Sequence, residues 1–360
     1  MTAAIENQNK NEFDQAVKGS SLNKDAWRRL KKNKMAIIGL YIVIIYAFIA
    51  VAAPILPIYS YKKIILDHQH LPPTFTKTAG ELMYEKVKTR MLIIAKKRGR
   101  TELNEREQKK LEGLRHKIKT EVKTIDGEIV KLHERIYYLG TDYHGRDMLA
   151  RIIYGGQISI AIGLIGAIVA LIIGITVGAI AGYVGGAVDN FIMRFVDIMY
   201  SLPYLLLVII FMAMFGQNIL NLFFAIALVS WLTVARIVRG QIISLKNSEF
   251  VEAARSIGAS NRRIIFKHMV PNTIGIIIIF GSLEIPAFIM YEAFLSFLGL
   301  GISAPYASWG SLVGDAVEGM ADFSWRLFFP AIIMTIFLFS MNFLGDGLRD
   351  AFDPQSKNKL

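Results

Sequence analysis

The sequence contains no cysteine. Disulfides, thiolate metal sites, cysteine nucleophiles and iron–sulfur ligation are therefore excluded, and nothing can be read about the redox compartment. Charge is scarce as well: Asp, Glu, Lys and Arg make up 19% of the 360 residues, against 53% that are hydrophobic. With a mean hydropathy of +0.41, such a chain is expected in a membrane rather than in solution. No Gly-rich phosphate-binding motif with its Lys occurs, so no catalytic residues are assigned. No stretch reads as a cleavable signal peptide either. The first apolar run begins near Met35, is too long for a signal h-region and lacks a small-residue cleavage site, so it is expected to remain as an anchor. The formal charge of +12 comes, to about two thirds, from residues 62–136. Its concentration in one segment makes the whole-chain value a poor guide, and no nucleic-acid partner is expected.

A helix crossing the hydrocarbon needs about 20 mostly apolar residues, because only internal hydrogen bonds satisfy a backbone in lipid. Six segments qualify: Met35 to Pro57, Ile158 to Tyr183, Phe191 to Phe215, Ile219 to Val238, Asn272 to Leu298 and Leu327 to Gly345. The fold class is thus all-α with six transmembrane helices. The basic flank Arg28-Arg29-Leu30-Lys31-Lys32-Asn33-Lys34 places the N-terminus in the cytoplasm by the positive-inside rule, and an even number of spans returns the C-terminus there. The loop between spans four and five carries Arg236, Arg239, Lys246, Arg255, Arg262, Arg263 and Lys267, which agrees. On these grounds the chain divides into a cytoplasmic segment (1–34), span one (35–57), an extracytoplasmic insertion (58–157), a core with spans two to six (158–346) containing the cytoplasmic loop 236–271, and a cytoplasmic tail (347–360).

The insertion is basic although it lies outside, which long loops tolerate. Ala79 to Lys97 and Thr101 to Thr120 read as a helical hairpin broken at Gly99, with Thr101 as N-cap. Val122 to Ile125 and Glu128 to Leu132 flank Asp126-Gly127, a hairpin turn signal. Span two repeats small residues at every fourth position, Gly166, Ala170, Gly174, Gly178 and Gly182, which marks a close helix contact. Span five carries two carboxylates, Glu284 and Glu292. Charges at such depth usually face a cavity or a partner, so both are candidate pathway or gating residues. Arg194 and Asp197, at i and i+3, read as a surface ion pair. The six His residues do not cluster on the spans, so no metal site is assigned.

The cytoplasmic stretch Glu249 to Asn272 carries most information. A short helix from about Ser248 to Ile257, capped by Ser248 and with Glu249 and Glu252 in its first turn, ends at Gly258, where φ > 0 is required. A second helix, Asn261 to Met269, is expected to stop before Pro271. Ala253 and Ala254 permit close approach, so the loop reads as a preformed docking knob. The plainer reading is a basic interfacial helix touching lipid headgroups.

Glu252-Ala253-Ala254 with Gly258 resembles the EAA loop of ABC importer permeases, and Lys267-His268-Met269-Val270-Pro271-Asn272 resembles its form in the dipeptide/oligopeptide/nickel branch. Further stretches resemble that branch's C-type subunit: Ala26-Trp27-Arg28-Arg29-Leu30; Leu139-Gly140-Thr141-Asp142 with Gly145-Arg146-Asp147 and Arg151; Glu292 to Gly301 running into Ser308-Trp309-Gly310; and Asn342 to Asp350 with Asp353-Pro354. The resemblance covers residues 26–57 and 138–354, and leaves the basic block 62–136 without a role. It implies the type I ABC importer permease fold in the cytoplasmic (inner) membrane. The chain would form half of a peptide pathway beside a B-type permease subunit, with two ABC ATPase subunits and an extracytoplasmic substrate-binding protein. Membrane lipid surrounds it. ATP and Mg would be used by the ATPase subunits, with no cofactor bound by this chain, and ATPase coupling would fall to Glu249, Glu252, Ala253, Ala254, Gly258, Arg262, Arg263 and Pro271. Importers of nickel or another small solute, an autonomous secondary transporter and a membrane-anchored scaffold are the alternatives. The secondary transporter would need internal repeats and midplane ion ligands that are not evident.

Overall fold

A computed structural model describes residues 22–125, 128–216 and 218–352. The helices α1 (Leu22–Leu30) and α2 (Lys34–Ala52) are followed by an outer block: α3 (Ala79–Lys97), α4 (Glu105–Thr120), β1 (Val122–Ile125) and β2 (Glu128–Lys131). Then come α5 (Met148–Val184), α6 (Gly186–Ser201), α7 (Tyr204–Phe215), α8 (Ile219–Leu245) and α9 (Glu249–Ser256). The chain closes with the composite α10 (residues 261–272), α11 (Ile274–Phe297), α12 (Trp309–Val317) and α13 (Trp325–Phe352). Helices α2, α5, α8, α11 and α13 are each long and apolar enough to cross a membrane.

The third expected span is not continuous. Helices α6 and α7 meet at an angle of 83°, so the molecule has six crossings only if this bent pair is one of them. The break falls at Leu202-Pro203, where Leu202 is extended (φ −89°, ψ 135°). A residue before proline is pushed out of the helical region by the pyrrolidine ring, and hydropathy alone is blind to it. Helix α5 starts ten residues before the expected span because Asp147 caps it, accepting from the Leu149 and Ala150 amides at 3.2 and 3.3 Å.

The bundle is organised around α5. Its small-residue face packs within the chain. A methyl group at Gly174 would meet Val234 and the Trp231 carbonyl, at Gly178 the Ala235 backbone, and at Gly182 the Arg239 carbonyl, all on α8; at Gly166 it would meet Phe288 on α11. Gly178→Val is accordingly expected to cost at least the roughly 1–3 kcal/mol of an overpacked core, since the obstacle is backbone and cannot rotate away. Gly240→Ala, with nothing within 4 Å of its added Cβ, should be silent. Thermal unfolding of the purified variants separates the two; an equal midpoint for Gly178→Val and the parent would dismiss the packing role. At the end of the bundle where α5 finishes, Arg239 grips Asp189 through two bonds of 2.5 and 2.6 Å, tying α6 to α8. Asp197 pairs with Arg236 of α8 at 2.8 Å, not with Arg194, because α8 offers a guanidinium across the helix contact.

At the opposite end the outer block docks on the stretch Leu139 to Arg151. Asp142 is the clasp. Its Oδ1 accepts from the His144 and Arg146 amides, and its Oδ2 from Arg146 Nε and Arg151 Nη1, both at 2.7 Å. Burial pushes its carboxyl up, but Arg151 and Arg146 outweigh this and hold it below the usual range. The helical hairpin is present as expected with Gly99 at φ +74°, but α4 begins at Glu105 rather than Thr101. Asn104, not Thr101, forms the capping box with Glu107, and Arg100 locks that Glu from the tip at 2.9 Å. The strands pair antiparallel, while the expected turn Asp126-Gly127 lies outside the described residues.

Candidate functional site

The stretch Glu249 to Asn272 singled out by sequence forms one compact knob. Helix α9 buries Val251 and Ala254 against Ile264, Ile265 and Met269 of α10, and this cluster continues into Tyr183 of α5, Val238 and Ile242 of α8 and Ile277 of α11. The Tyr183 hydroxyl donates to Asn261 Oδ1 at 3.1 Å. The knob is thereby rooted on three spans at once. Its own end is closed by a Schellman motif: Gly258 N–H donates to the Arg255 carbonyl at 3.0 Å and Ala259 N–H to the Ala254 carbonyl at 3.1 Å, with Gly258 at φ +78°. Ser248 occupies the N-cap position, but its hydroxyl turns back to the Leu245 carbonyl and caps nothing.

Helix α10 does not stop before Pro271. It widens into a π-turn over Ile264–Met269 and runs on through Pro271. The Val270 amide reaches back five residues to the Ile265 carbonyl, and this extra residue per turn accommodates the proline, which has no N–H to give and would crowd the turn before it.

Glu249, Glu252, Ala253, Gly258, Arg262, Arg263 and Pro271 all lie exposed on this knob, whereas Ala254 is a packing residue. Sequence reasoning missed Ile257. It stands 85% exposed at the tip, about twice as exposed as Phe250 (39%) or Phe266 (41%) on the same knob. No local signal marked it: three residues beyond Ala254, periodicity would set Ile257 beside the buried face, and it turns outward where the helix ends at the C-cap.

The two carboxylates of α11 part company. Glu292 is fully buried and holds the loop ahead of α12: Ser296 and Ser308 donate to its Oε1 at 2.6 and 2.5 Å. Ser308 is the N-cap of α12, and Trp309 beside it donates from its backbone to Ser159 Oγ and from Nε1 to the Ile152 carbonyl, both at 3.0 Å. Glu292 thus anchors a short helix wedged into the bundle. Glu284, two turns earlier, is half-buried and lines a cavity of about 310 Å³ together with Tyr200, Tyr204, Ser230, Thr233 and Tyr291. This cavity sits at the break between α6 and α7, at half-height of α8 and α11.

The His residues do not gather on the spans, but the outer block brings two together. His68 and His133, both buried, are 3.0 Å apart, and His133 Nε2 meets Glu121 at 2.9 Å. Asp67, Glu121 and His133 could in principle hold a metal ion. Lys117 already occupies their focus, 2.9 Å from Asp67 and 3.6 Å from Glu121, so the charge a cation would supply is present as an ammonium.

Residues 174–358 match the family of binding-protein-dependent transport system inner membrane components, and residues 21–73 match the N-terminal transmembrane domain of oligopeptide transport permease C. The oligopeptide transport system permease protein OppC of Escherichia coli (strain K12) is 49% identical over 221 residues, 61% of this chain and 73% of that protein. The dipeptide transport system permease protein DppC of Bacillus subtilis (strain 168) is 37% identical over 352 residues, 97% of this chain and 91% of that one, a span that takes in the outer block. Among solved structures, one described as inward-facing conformations of the MetNI methionine ABC transporter aligns with 57% of this chain and 98% of its own at 15% identity and a TM-score of 0.48, too slight a likeness to argue from. The inner-membrane transport motifs, the rooted knob and the full-length relative converge, and the chain belongs to the family of binding-protein-dependent transport system inner membrane components.

Proposed function

We propose that this chain is one of two permease subunits of an ATP-driven peptide importer. It forms half of the pathway and transmits ATPase movement through the knob of α9 and α10. The observation that carries the reading is mechanical. A knob meant to be pushed must present a docking surface on one side and be rigidly joined to the spans on the other. Here Glu249, Glu252, Ala253 and Ile257 are exposed while Val251 and Ala254 are locked to α5, α8, α10 and α11. Closure of the ATPase pair beneath would then tilt these spans together and expose the cavity alternately to each side.

The partners in this reading are a B-type permease, two ABC ATPase subunits, an extracytoplasmic binding protein and the surrounding lipid. ATP and Mg belong to the ATPase subunits. The peptide cargo follows from the names of the E. coli and B. subtilis relatives. Both termini are assigned to the cytoplasm, on the side of the knob, because α2 begins and α13 ends beside the start of α11 at that end, with Gly347 against Ala36 and Gly275 against Phe352.

Purification of the tagged chain from its native membrane tests this directly. Two ATPase subunits and a second permease should accompany it, and ATP hydrolysis should rise when the binding protein and a peptide are added. In the same cells, a cysteine at Gly99, the only one in the chain, should react with an impermeant thiol reagent without lysis. A chain that purifies alone, with no associated ATPase activity, would reject the importer reading; labelling of Gly99→Cys only after lysis would reject the orientation.

A further inference from the structure

We infer that the cavity at the break of the third span is a binding site for the protonated amino terminus of the cargo, with Glu284 as its counter-charge. This rests on the importer reading and adds the group recognised inside the membrane. The cavity walls come from both sides of the Leu202-Pro203 break, from α8 and from α11. Among its lining residues Glu284 is the one charged group, and no Lys, Arg or His faces it. The nearest cation along α8, Arg236, is engaged with Asp197 at 2.8 Å and lies over the Tyr200 ring at 4.3 Å. Among the described residues Glu284 has no ion pair, so a carboxylate at mid-depth faces a space without its counter-ion. Such a group is costly in a membrane unless something charged arrives.

The other walls suit an ammonium group. Tyr204 and Tyr291 lie with ring centroids 4.5 Å apart, and aromatic faces attract cations through their quadrupole. Tyr200 and Thr233 share a hydrogen bond of 2.5 Å. The Tyr204 hydroxyl is itself buried beside Ser230, whose own hydroxyl donates to the Ile226 carbonyl. An ammonium has three donors and no acceptor. A carboxylate and aromatic ring faces are a matching set, whereas a free carboxylate or phosphate would find nothing to neutralise it. The break itself supplies the room, since a straight third span would fill the space opposite Glu284 with side chains.

The test uses the assembled complex and the absence of cysteine from this chain. Met199→Cys, in the cavity wall, reports accessibility through labelling of this chain by a cationic or an anionic methanethiosulfonate of similar size. The cationic reagent should be favoured about tenfold more in the Met199→Cys protein than in the same protein with Glu284→Gln, the scale expected of one charge a few ångströms away in a poorly screened site. With the binding protein omitted, a saturating dipeptide with a free amino group should slow labelling severalfold in the first protein and less than twofold in the second. The same peptide lacking its amino group should protect neither. Equal protection by both peptides, or protection that survives Glu284→Gln, overturns the site. Loss of the second permease from the Glu284→Gln complex overturns it too, by assigning the carboxylate to the subunit contact; Glu284→Asp, which keeps the charge, guards against reading a folding defect as that result, since an assembled Asp protein must still discriminate between the peptides. The importer reading is scored separately, by peptide-stimulated ATP hydrolysis with the binding protein present. If that is absent in the parent both readings fall, and if it persists while amine discrimination is absent, the cavity alone does.

Discussion

Glu252→Lys and Gly258→Val are expected to yield a permease that inserts normally, keeps its permease partner and fails to transport. Neither position supports the bundle, which is why the effect should be confined to coupling. Glu252 is exposed, and Gly258 has nothing within 4 Å of the place a Cβ would occupy. The valine therefore causes no clash. Its cost is the backbone alone, on the order of 1–3 kcal/mol for a β-branched residue held at positive φ. That strain is relieved by opening the Schellman turn, which displaces Ile257 and the acidic first turn relative to one another. For Glu252→Lys the argument is electrostatic: reversing a charge at a partly desolvated contact turns attraction into repulsion, and such juxtapositions cost several kcal/mol. Peptide-stimulated ATP hydrolysis should drop by at least tenfold in both, with membrane yield unchanged. Normal stimulated hydrolysis in both variants would remove the docking role of the knob. Ile257→Asp, which alters no buried contact, should behave like Glu252→Lys if the exposed isoleucine sits in the ATPase cleft.

Asp142→Asn should instead damage the molecule itself. The substitution preserves shape but leaves Arg146 and Arg151, each 2% exposed, without the carboxylate that both contact at 2.7 Å. Removing one partner of a buried ion pair typically costs about 3–5 kcal/mol, because the remaining charge stays desolvated. Asp315 compensates little. It lies 3.7 Å from Arg151 and its own side chain is 40% exposed. The expected result is a large fall in thermal midpoint together with protease sensitivity of the stretch Leu139 to Asp147, on which the outer block docks. The pH dependence gives a second handle. Since the folded carboxyl is held below its ordinary value, its contribution is present above about pH 4, where the unfolded carboxyl ionises, and is lost as pH falls through the lower folded value. The parent should thus lose stability below about pH 4 more steeply than the Asn protein. Identical acid unfolding of the two would show that Asp142 does not carry the clasp.

How much of this could be read before folding follows from the range of each interaction. The presence of the long apolar helices, the hairpin Ala79 to Thr120, the Gly258 cap and the small-residue face of α5 are all local or periodic features. They depend on residues within a turn or two, and so a linear sequence displays them. Capping already shows the limit, because Asn104 took the role assigned to Thr101 only through its partnership with Glu107 and Arg100. The π-turn before Pro271 goes further. A proline alone argues for a helix end, and the helix continues because Ile264, Ile265 and Met269 are held in the cluster under α9.

What only the tertiary structure decided concerns groups far apart in the chain. Two glutamates eight residues apart on one apolar helix are indistinguishable by composition, yet Glu292 is enclosed by Ser296 and Ser308 and Glu284 faces open space. The difference arises because Ser308 at the start of α12 closes over Glu292, while Glu284 looks with Tyr291 into the cavity at the break of the third span. Likewise Asp197 found Arg236 rather than Arg194, and His68 found His133 across 65 residues. Local sequence determined which stretches become helical, since that choice is made by backbone torsions and nearest turns, whereas the end near Pro271 was set by packing. Which charges meet, which remain unpaired and where a cavity opens are set by helix contacts that exist only once the chain is folded.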